Sequence, residues 1–298
     1  MTTSPATPPR DLPLPPPRPP GASKRDFGRV VVVGGSVGMA GAPALAASAA
    51  LKSGAGLVEA LVPEPIVAIT AGFDPCVMTR GLVSSAGGTF AAAAVAPLVA
   101  AAGRASVLAV GPGLGRSDDV ASLVAALWRE VAIPAVFDAD ALWAVSLMDD
   151  ASRLDHAGPR VVTPHVGEML RLAGRDPAGP DAADRGLLER LARECAPAAD
   201  VVVVLKGAGT LVVGAGREAV NETGNPGMAT AGTGDVLTGV VAALLAQGME
   251  PFAAARLAAW VHGAAGDSAA ADLGQISMTA RDLLERLHVG FRAATVLR

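Results

Sequence analysis

The sequence predicts an α/β fold: a central, mostly parallel β-sheet flanked by helices. Three observations carry this expectation. Short apolar runs without polar alternation, such as Val30–Val33, Val107–Val110 and Val201–Leu205, have the pattern of strands buried on both faces. Helical segments alternate with these runs, as the crossovers of a parallel sheet require. Glycines and polar residues gather directly after the strands, at the edge where open α/β sheets bind ligands.

The elements follow in order. Nine of the first twenty residues are proline, which favours extended polyproline II and builds no core of its own. Residues 1–26 are therefore expected to be a disordered Pro-rich tail, and residues 27–298 a single domain. Val30–Val33 leads into Gly34-Gly35-Ser36 and Gly38–Ala42. A helix follows over Pro43–Ser53, with Pro43 in its first turn; Gly54 and Gly56 end it, and Leu57–Val62 is the next strand. Phe90–Ala102 is an Ala-rich helical pattern. The strand Val107–Val110 ends in Gly111-Pro112-Gly113-Leu114-Gly115, and the helix Asp118–Val131 begins with acids that suit its dipole. Ala135–Phe137 ends in Asp138-Ala139-Asp140, and Arg160–Val162 ends in Thr163-Pro164-His165. Helices over Val166–Ala173 and Asp181–Glu194 precede the strand Val201–Leu205. Leu211–Val213 and Glu218–Val220 form a hairpin around Gly214-Ala215-Gly216. Gly232-Thr233-Gly234-Asp235 opens an apolar helix to Ala246, and helices over Pro251–Ala271 and Ala280–Leu287 close the chain.

Composition excludes several classes. A net charge of −4 and the absence of tyrosine argue against a nucleic-acid partner. No apolar run is long and uninterrupted enough to span a bilayer, so no membrane association is expected. The N-terminus has no apolar signal-peptide core, so the location expected is the cytoplasm. Cys76 and Cys195 lack metal-ligand spacing and read as buried thiols; no protein metal site is expected.

The post-strand loops suggest the chemistry. There is no Gly-Lys pair and no full GxGxxG, which excludes a Walker P-loop and a dinucleotide fingerprint. The turn Gly232-Thr233-Gly234 before a helix can present free N–H groups to an anion. Asp235 beside it reads either as a helix cap or as a general base toward a hydroxyl attacking a phosphoryl group. Lys206, followed by Gly207-Ala208-Gly209-Thr210, is either a solvated strand end or a phosphate contact. Asp138 and Asp140 are turn residues or holders of a hydrated Mg²⁺. His165 reads first as a helix-start residue, and His262, inside an apolar helix, as a core-side one.

Taken together, Gly38-Met39-Ala40-Gly41-Ala42, Gly111–Gly115, Asp138-Ala139-Asp140-Ala141-Leu142, Thr163-Pro164-His165-Val166-Gly167-Glu168, Lys206–Thr210 and Asn225-Pro226-Gly227-Met228-Ala229-Thr230-Ala231-Gly232-Thr233-Gly234-Asp235 resemble the motif series of the ADP-dependent NAD(P)H-hydrate dehydratases. The resemblance covers about residues 28–290 and implies a ribokinase-like three-layer fold. It also implies a repair lyase that dehydrates the S-epimer of hydrated NADH or NADPH at the expense of ADP, with Mg²⁺, giving AMP and phosphate. On this resemblance Ala42, Gly115, His165 and Asp235 would meet the hydrated dinucleotide. Lys206, Gly207, Ala208, Gly209, Thr210 and Gly234 would hold the AMP part, Gly232 and Thr233 of the same turn would also bind the nucleotide, and Asp235 would be the base. A homo-oligomer, often a tetramer, is implied as well. Val166 stands where the family usually has proline and Ala231 where it usually has glycine; altered loop stiffness is expected from both. Many relatives carry an N-terminal epimerase domain, for which this sequence shows only the Pro-rich tail, so no epimerase activity is expected. The competing expectations are a ribokinase-like kinase of a vitamin precursor and a catalytically silent nucleotide-binding protein.

Overall fold

The computed structural model describes residues 7–149, 153, 155–196 and 200–296. Nine strands form one sheet: β1 (Arg29–Val33), β2 (Leu57–Pro63), β3 (Met78–Leu82), β4 (Val107–Val110), β5 (Ala135–Phe137), β6 (Arg160–Val162), β7 (Val201–Leu205), β8 (Thr210–Gly214) and β9 (Arg217–Asn221). Their order is β3-β2-β1-β4-β5-β6-β7-β8-β9. Strands β1 to β7 run parallel, and the hairpin β8–β9 adds an antiparallel edge. The helices are α1 (Gly41–Lys52), α2 (Val67–Ala71), α3 (Val95–Ala102), α4 (Asp118–Glu130), α5 (Asp140–Ser146), α6 (Val166–Leu172), α7 (Arg185–Glu194), α8 (Thr233–Ala246), α9 (Pro251–Leu273) and α10 (Ala280–Val296). No helix among the described residues is long and apolar enough to cross a membrane.

The alternation hidden in the apolar strands divides the core into two layers. Val30 and Val32 of β1 pack with α1, α8, α9 and α10. Val31 and Val33 pack on the opposite face with α3 to α7. The chain leaves β1 in one direction for β2 and β3, then returns to β4 and proceeds the other way. This reversal between β1 and β4 opens a crevice at the C-terminal ends of the strands, where an open α/β sheet places its ligands.

Several expectations need correction. The strand β3 was not foreseen: Met78-Thr79-Arg80-Gly81-Leu82 is an edge strand that buries only Leu82 fully, so it lacks an apolar run. The helix expected from Phe90 becomes α3 only at Val95, which puts Pro97 in its first turn, where the missing N–H costs nothing. The helix expected from Asp181 begins at Arg185, because Asp184 is its N-cap and its Oδ1 accepts from the Leu187 N–H at 2.9 Å. The last helix continues past Leu287 to Val296; Gly290, an apparent stop, instead brings α10 against the Val261 backbone of α9. Cys76 is exposed and Cys195 half-buried, against the reading of both as core thiols.

The tail also departs from expectation at Asp11, Leu12 and Arg18, which contact the body; residues 1–6 of that expectation lie outside the described residues. Leu12 is buried in the cluster shared with α1, α8, α9 and α10, and Asp11 pairs with Arg256 of α9 at 2.8 Å. Arg18 stacks over Phe27 at 3.8 Å and donates to the Gly54 carbonyl. The segment makes a few turn hydrogen bonds of its own, such as Leu12 N–H to the Pro9 carbonyl, and its proline stiffness lowers the entropy lost on docking. Leu12, Asp11 and Arg18 are among the residues that hold it here.

α8 packs on α1 at Gly239, where a Cβ would run into the Ala46 carbonyl and lie 2.7 Å from the Ala49 Cβ. Helix propensity alone favours Gly239→Ala by about 1 kcal/mol. The close approach should reverse the sign, giving a net loss of about 1–3 kcal/mol in urea denaturation.

Candidate functional site

The ends of β1, β4, β5, β6 and β7 and the start of α8 converge on the crevice. Gly34 N–H bonds the Leu61 carbonyl, and Gly35 N–H donates to the Pro112 carbonyl at 2.8 Å, locking the post-β1 loop onto the post-β4 loop. Lys206 N–H donates to the Pro164 carbonyl at 2.8 Å, which joins the post-β6 and post-β7 loops.

A buried polar chain runs through the centre. Lys206 Nζ donates to Asp138 Oδ1 at 2.6 Å, and Thr238 Oγ1 donates to Asp138 Oδ2 at 2.7 Å. Asp138 is 1% exposed, so both of its oxygens are satisfied by protein. Glu168 Oε2 lies 3.7 Å from Lys206 Nζ. Burial pulls the Lys206 pKa down, but Asp138, Glu168 and Asp235 more than offset this, so its ammonium is retained. Asp140 is equally committed: its Oδ2 accepts from the Gly115 N–H and its Oδ1 from Arg116 Nε, each at 3.0 Å. Between the two aspartates Ala139 adopts φ 50°, ψ −122°, a left-handed conformation that strains a residue with a Cβ.

The start of α8 is open. Gly232 is its N-cap, with φ 92°, and a Cβ there would sit 2.7 Å from Leu45 Cδ1. No side chain caps the helix, so the N–H groups of Thr233, Gly234 and Asp235 have no protein acceptor among the described residues. Thr233 is committed to structure: its hydroxyl lies within hydrogen-bond reach of the Met228 and Thr230 carbonyls, and its own carbonyl accepts from His262 Nε2 at 2.8 Å. Burial lowers the His262 pKa to about 4, which keeps the ring neutral. Gly234 admits Lys206, since a Cβ would lie 3.3 Å from Nζ.

Asp235 is the third residue of α8 rather than its cap. Burial pushes its pKa up to about 7; the Asp138 charge adds to this, Lys206 opposes it, and Asp140 and Glu168 raise it further. The helix dipole favours the ionised form by at most about 2 kcal/mol and is outweighed. A carboxyl poised near neutrality beside free N–H groups suits proton transfer next to an anion.

The residues expected at the site divide into two groups. Lys206, Gly207, Ala208, Gly209, Thr210, Thr233 and Gly234 line a cavity of about 530 Å³ together with Asn225, Met228 and His262. Gly232 lies outside that lining and packs on Leu45 and Ala280; its part is the turn itself. Ala42, Gly115 and His165 belong to the other half of the edge. A Cβ on Gly113 would meet that of Ala42 at 3.1 Å, and Gly115 is tied to Asp140. His165 is the N-cap of α6: its Nδ1 accepts from the Gly167 and Glu168 N–H groups, and Glu168 Oε2 accepts from the His165 N–H at 2.9 Å. Desolvation lowers its pKa against the pull of Glu168, consistent with an unprotonated Nδ1. Its ring is exposed at the crevice, so it caps a helix and faces ligand space at once.

Thr238 went unnoticed in the sequence, although it lies one helical turn beyond Asp235. Asn225 and Asp267 form a second unforeseen support, with Asn225 Nδ2 donating to Asp267 Oδ1 at 3.0 Å and the Gly224 N–H to Oδ2 at 2.9 Å. Asp138 and Asp140 do not fit a resident Mg²⁺, because their oxygens are already engaged. No group of three or more His, Cys, Asp or Glu side chains among the described residues forms a metal set.

Comparison with known proteins accords with this geometry. The family model described as NAD(P)H-hydrate dehydratase matches residues 30–288. The chain is 47% identical over 262 residues to a bifunctional NAD(P)H-hydrate repair enzyme of Moorella thermoacetica, covering 88% of this chain and 48% of that protein. It is 39% identical over 249 residues to an ADP-dependent (S)-NAD(P)H-hydrate dehydratase of Neisseria meningitidis, covering 82% and 78%. The chain thus spans about half the length of the bifunctional relatives it matches. An ADP/ATP-dependent NAD(P)H-hydrate dehydratase structure from Bacillus subtilis superposes with a TM-score of 0.77 at 24% identity, covering 95% of each chain, and shows the shared ribokinase-like fold.

Substitutions at two positions test the electrostatics. Thr238→Val strands a buried carboxylate oxygen and should cost about 1–3 kcal/mol in denaturant titration, whereas Thr238→Ser should be close to neutral. Because the folded-state pKa of Asp235 is raised, ionisation destabilises the fold progressively from pH 3.8 to about 7 and fully above that. Asp235→Asn should therefore stabilise the protein at pH 8, by at most about 4 kcal/mol, with the gain vanishing near pH 4 in thermal melts.

Proposed function

This chain belongs to the NAD(P)H-hydrate dehydratase family, and we propose that it dehydrates the S-epimer of hydrated NADH and NADPH at the expense of ADP. The observation that carries this reading is Asp235: a half-buried carboxyl held near pKa 7 at an open helix N-terminus, beside an ammonium-lined nucleotide cavity.

In this reading the AMP part of ADP occupies the cavity along Lys206–Thr210, and its β-phosphate meets the free N–H groups of Thr233 and Gly234. The hydrated nicotinamide ring lies across Ala42, Gly115 and His165 with its hydroxyl toward Asp235. Asp235 takes the hydroxyl proton as that oxygen attacks the β-phosphorus, and the bond to AMP breaks. The ring nitrogen's electron pair then expels phosphate, and loss of a ring proton restores the dihydropyridine. The water formally removed from the hydrate is the one that cleaves ADP into AMP and phosphate, so the step balances. Mg²⁺ would come with the nucleotide and offset its phosphate charge, since the oxygens of Asp138 and Asp140 already accept hydrogen bonds from the protein.

The same proposal makes residues 27–298 one ribokinase-like domain of a cytoplasmic homo-oligomer, with neither nucleic acid nor membrane as partner. Size-exclusion chromatography with light scattering tests the assembly. A small-molecule kinase shares the fold, but the family match and the two curated relatives favour dehydration.

Incubation with hydrated NADH, ADP and Mg²⁺ should restore the NADH absorbance, with one AMP formed per NADH. ATP-dependent phosphorylation of an alcohol without recovery would instead establish the kinase, and ADP binding without turnover a silent binder. Asp235→Asn should keep ADP affinity and lose about 10²–10⁴-fold in turnover. The wild-type kcat/KM should rise with pH to a plateau, with an apparent pKa near 7, because the base must be ionised.

A further inference from the structure

We propose that Arg116 binds a phosphate of the hydrated dinucleotide, an inference that rests on the dehydratase reading of the site. Arg116 follows Gly115 directly, at the crevice between the post-β1 and post-β4 loops. Leu114 is wholly buried and anchors that loop, while Gly111, Gly113 and Gly115 all have positive φ and bring the chain back out to the surface. The side chain that emerges there is 52% exposed.

Its orientation is built in. Arg116 Nε donates to Asp140 Oδ1 at 3.0 Å, and the other Asp140 oxygen is pinned by the Gly115 N–H. The carboxylate therefore cannot swing away, and the guanidinium is held by its inner nitrogen alone. Its two terminal nitrogens have no acceptor among the described residues. They form the planar edge that binds a phosphate through two parallel hydrogen bonds. The Trp143 ring, 5.8 Å from the guanidinium carbon, stands beside it.

A purely structural role explains this arrangement poorly. Half-exposed ion pairs stabilise little, and Asp140 already has a partner in the Gly115 N–H. Charge balance points to a ligand instead. Asp138, Asp140, Glu168 and Asp235 make the edge acidic, and Lys206 is engaged with Asp138 on the nucleotide side. A dinucleotide carries at least two phosphate charges that must lie outside that acidic centre. Arg116 lies next to a residue assigned to the dinucleotide and outside the lining of the nucleotide cavity.

Calorimetric titration of NADH and NADPH into wild type, Arg116→Met and Arg116→Lys tests this directly, since the products carry the same phosphates as their hydrates. Arg116→Met should weaken binding of both about tenfold, with Arg116→Lys intermediate and ADP affinity unchanged. The KM for the hydrates should rise in parallel. Weakening confined to NADPH would assign Arg116 to the 2′-phosphate, and weakening of both to the pyrophosphate; either outcome supports the proposal. Unchanged affinity for both dinucleotides in a variant that melts like wild type would overturn it. Failure of the dehydratase reading would show separately, as wild-type protein that restores no NADH.

Discussion

The site depends on one buried contact: the Asp138 carboxylate held between the Lys206 ammonium and the Thr238 hydroxyl. It joins three elements that are distant in sequence, the end of β5, the end of β7 and the second turn of α8. A charge as buried as Asp138 is tolerable only when its lone pairs are filled. Each partner is therefore required, and their geometry fixes the start of α8 relative to the sheet. Asp235 shares the α8 face of Thr238 one turn earlier, so the contact that satisfies Asp138 also sets the distance at which its charge acts on Asp235.

The same arrangement separates two carboxylates into two roles. Asp138 is hydrogen-bonded on both oxygens and remains a fixed charge. Asp235 has no cap bond to stabilise its ionised form and faces three acidic neighbours, so it becomes the group that exchanges a proton near neutrality. Glycine makes this possible at close quarters. Gly232 supplies the left-handed turn and Gly234 leaves room for Lys206. Side chains at either position would push the helix start away from the cation that balances it.

How much of this was legible in the sequence follows from where the signal lay. Strands β4, β5 and β7 could be read to the residue because each is an unbroken apolar run buried on both faces; β6, which opens on the buried Arg160, was read from its valines and the turn residues after them. β3 could not, since Thr79, Arg80 and Gly81 look like loop residues and only pairing with β2 makes them a strand. The tail misled because proline content describes what a segment cannot do internally, not whether a groove will accept Leu12. In the site, glycines after strands marked the loops, and Lys206 and Asp235 stood out as lone charges among small residues. Thr238 was hidden inside an apolar helix, where a hydroxyl reads as neutral until a carboxylate 100 residues away is seen to meet it. Gly232 reads in the sequence as part of the nucleotide-binding turn, and its positive φ makes it the residue that shapes that turn.

The charge pattern also constrains how such a site works. Burial raises the Asp235 pKa most and the acidic neighbours add to it, and in the proposed reaction those neighbours would repel the diphosphate beside it. The fold counters this with an uncapped helix N-terminus and one retained ammonium. These offset part of the repulsion without cancelling the acidity that tunes Asp235. A strongly cationic phosphate loop of the Walker kind would bind ADP more tightly but would pull the Asp235 pKa back toward its ordinary value and weaken the base. In the proposed reaction, with no Gly-Lys pair in the sequence, phosphate would be held mainly by the free backbone N–H groups at the start of α8, which would attract the anion while leaving the Asp235 carboxyl in its half-buried, acidic surroundings.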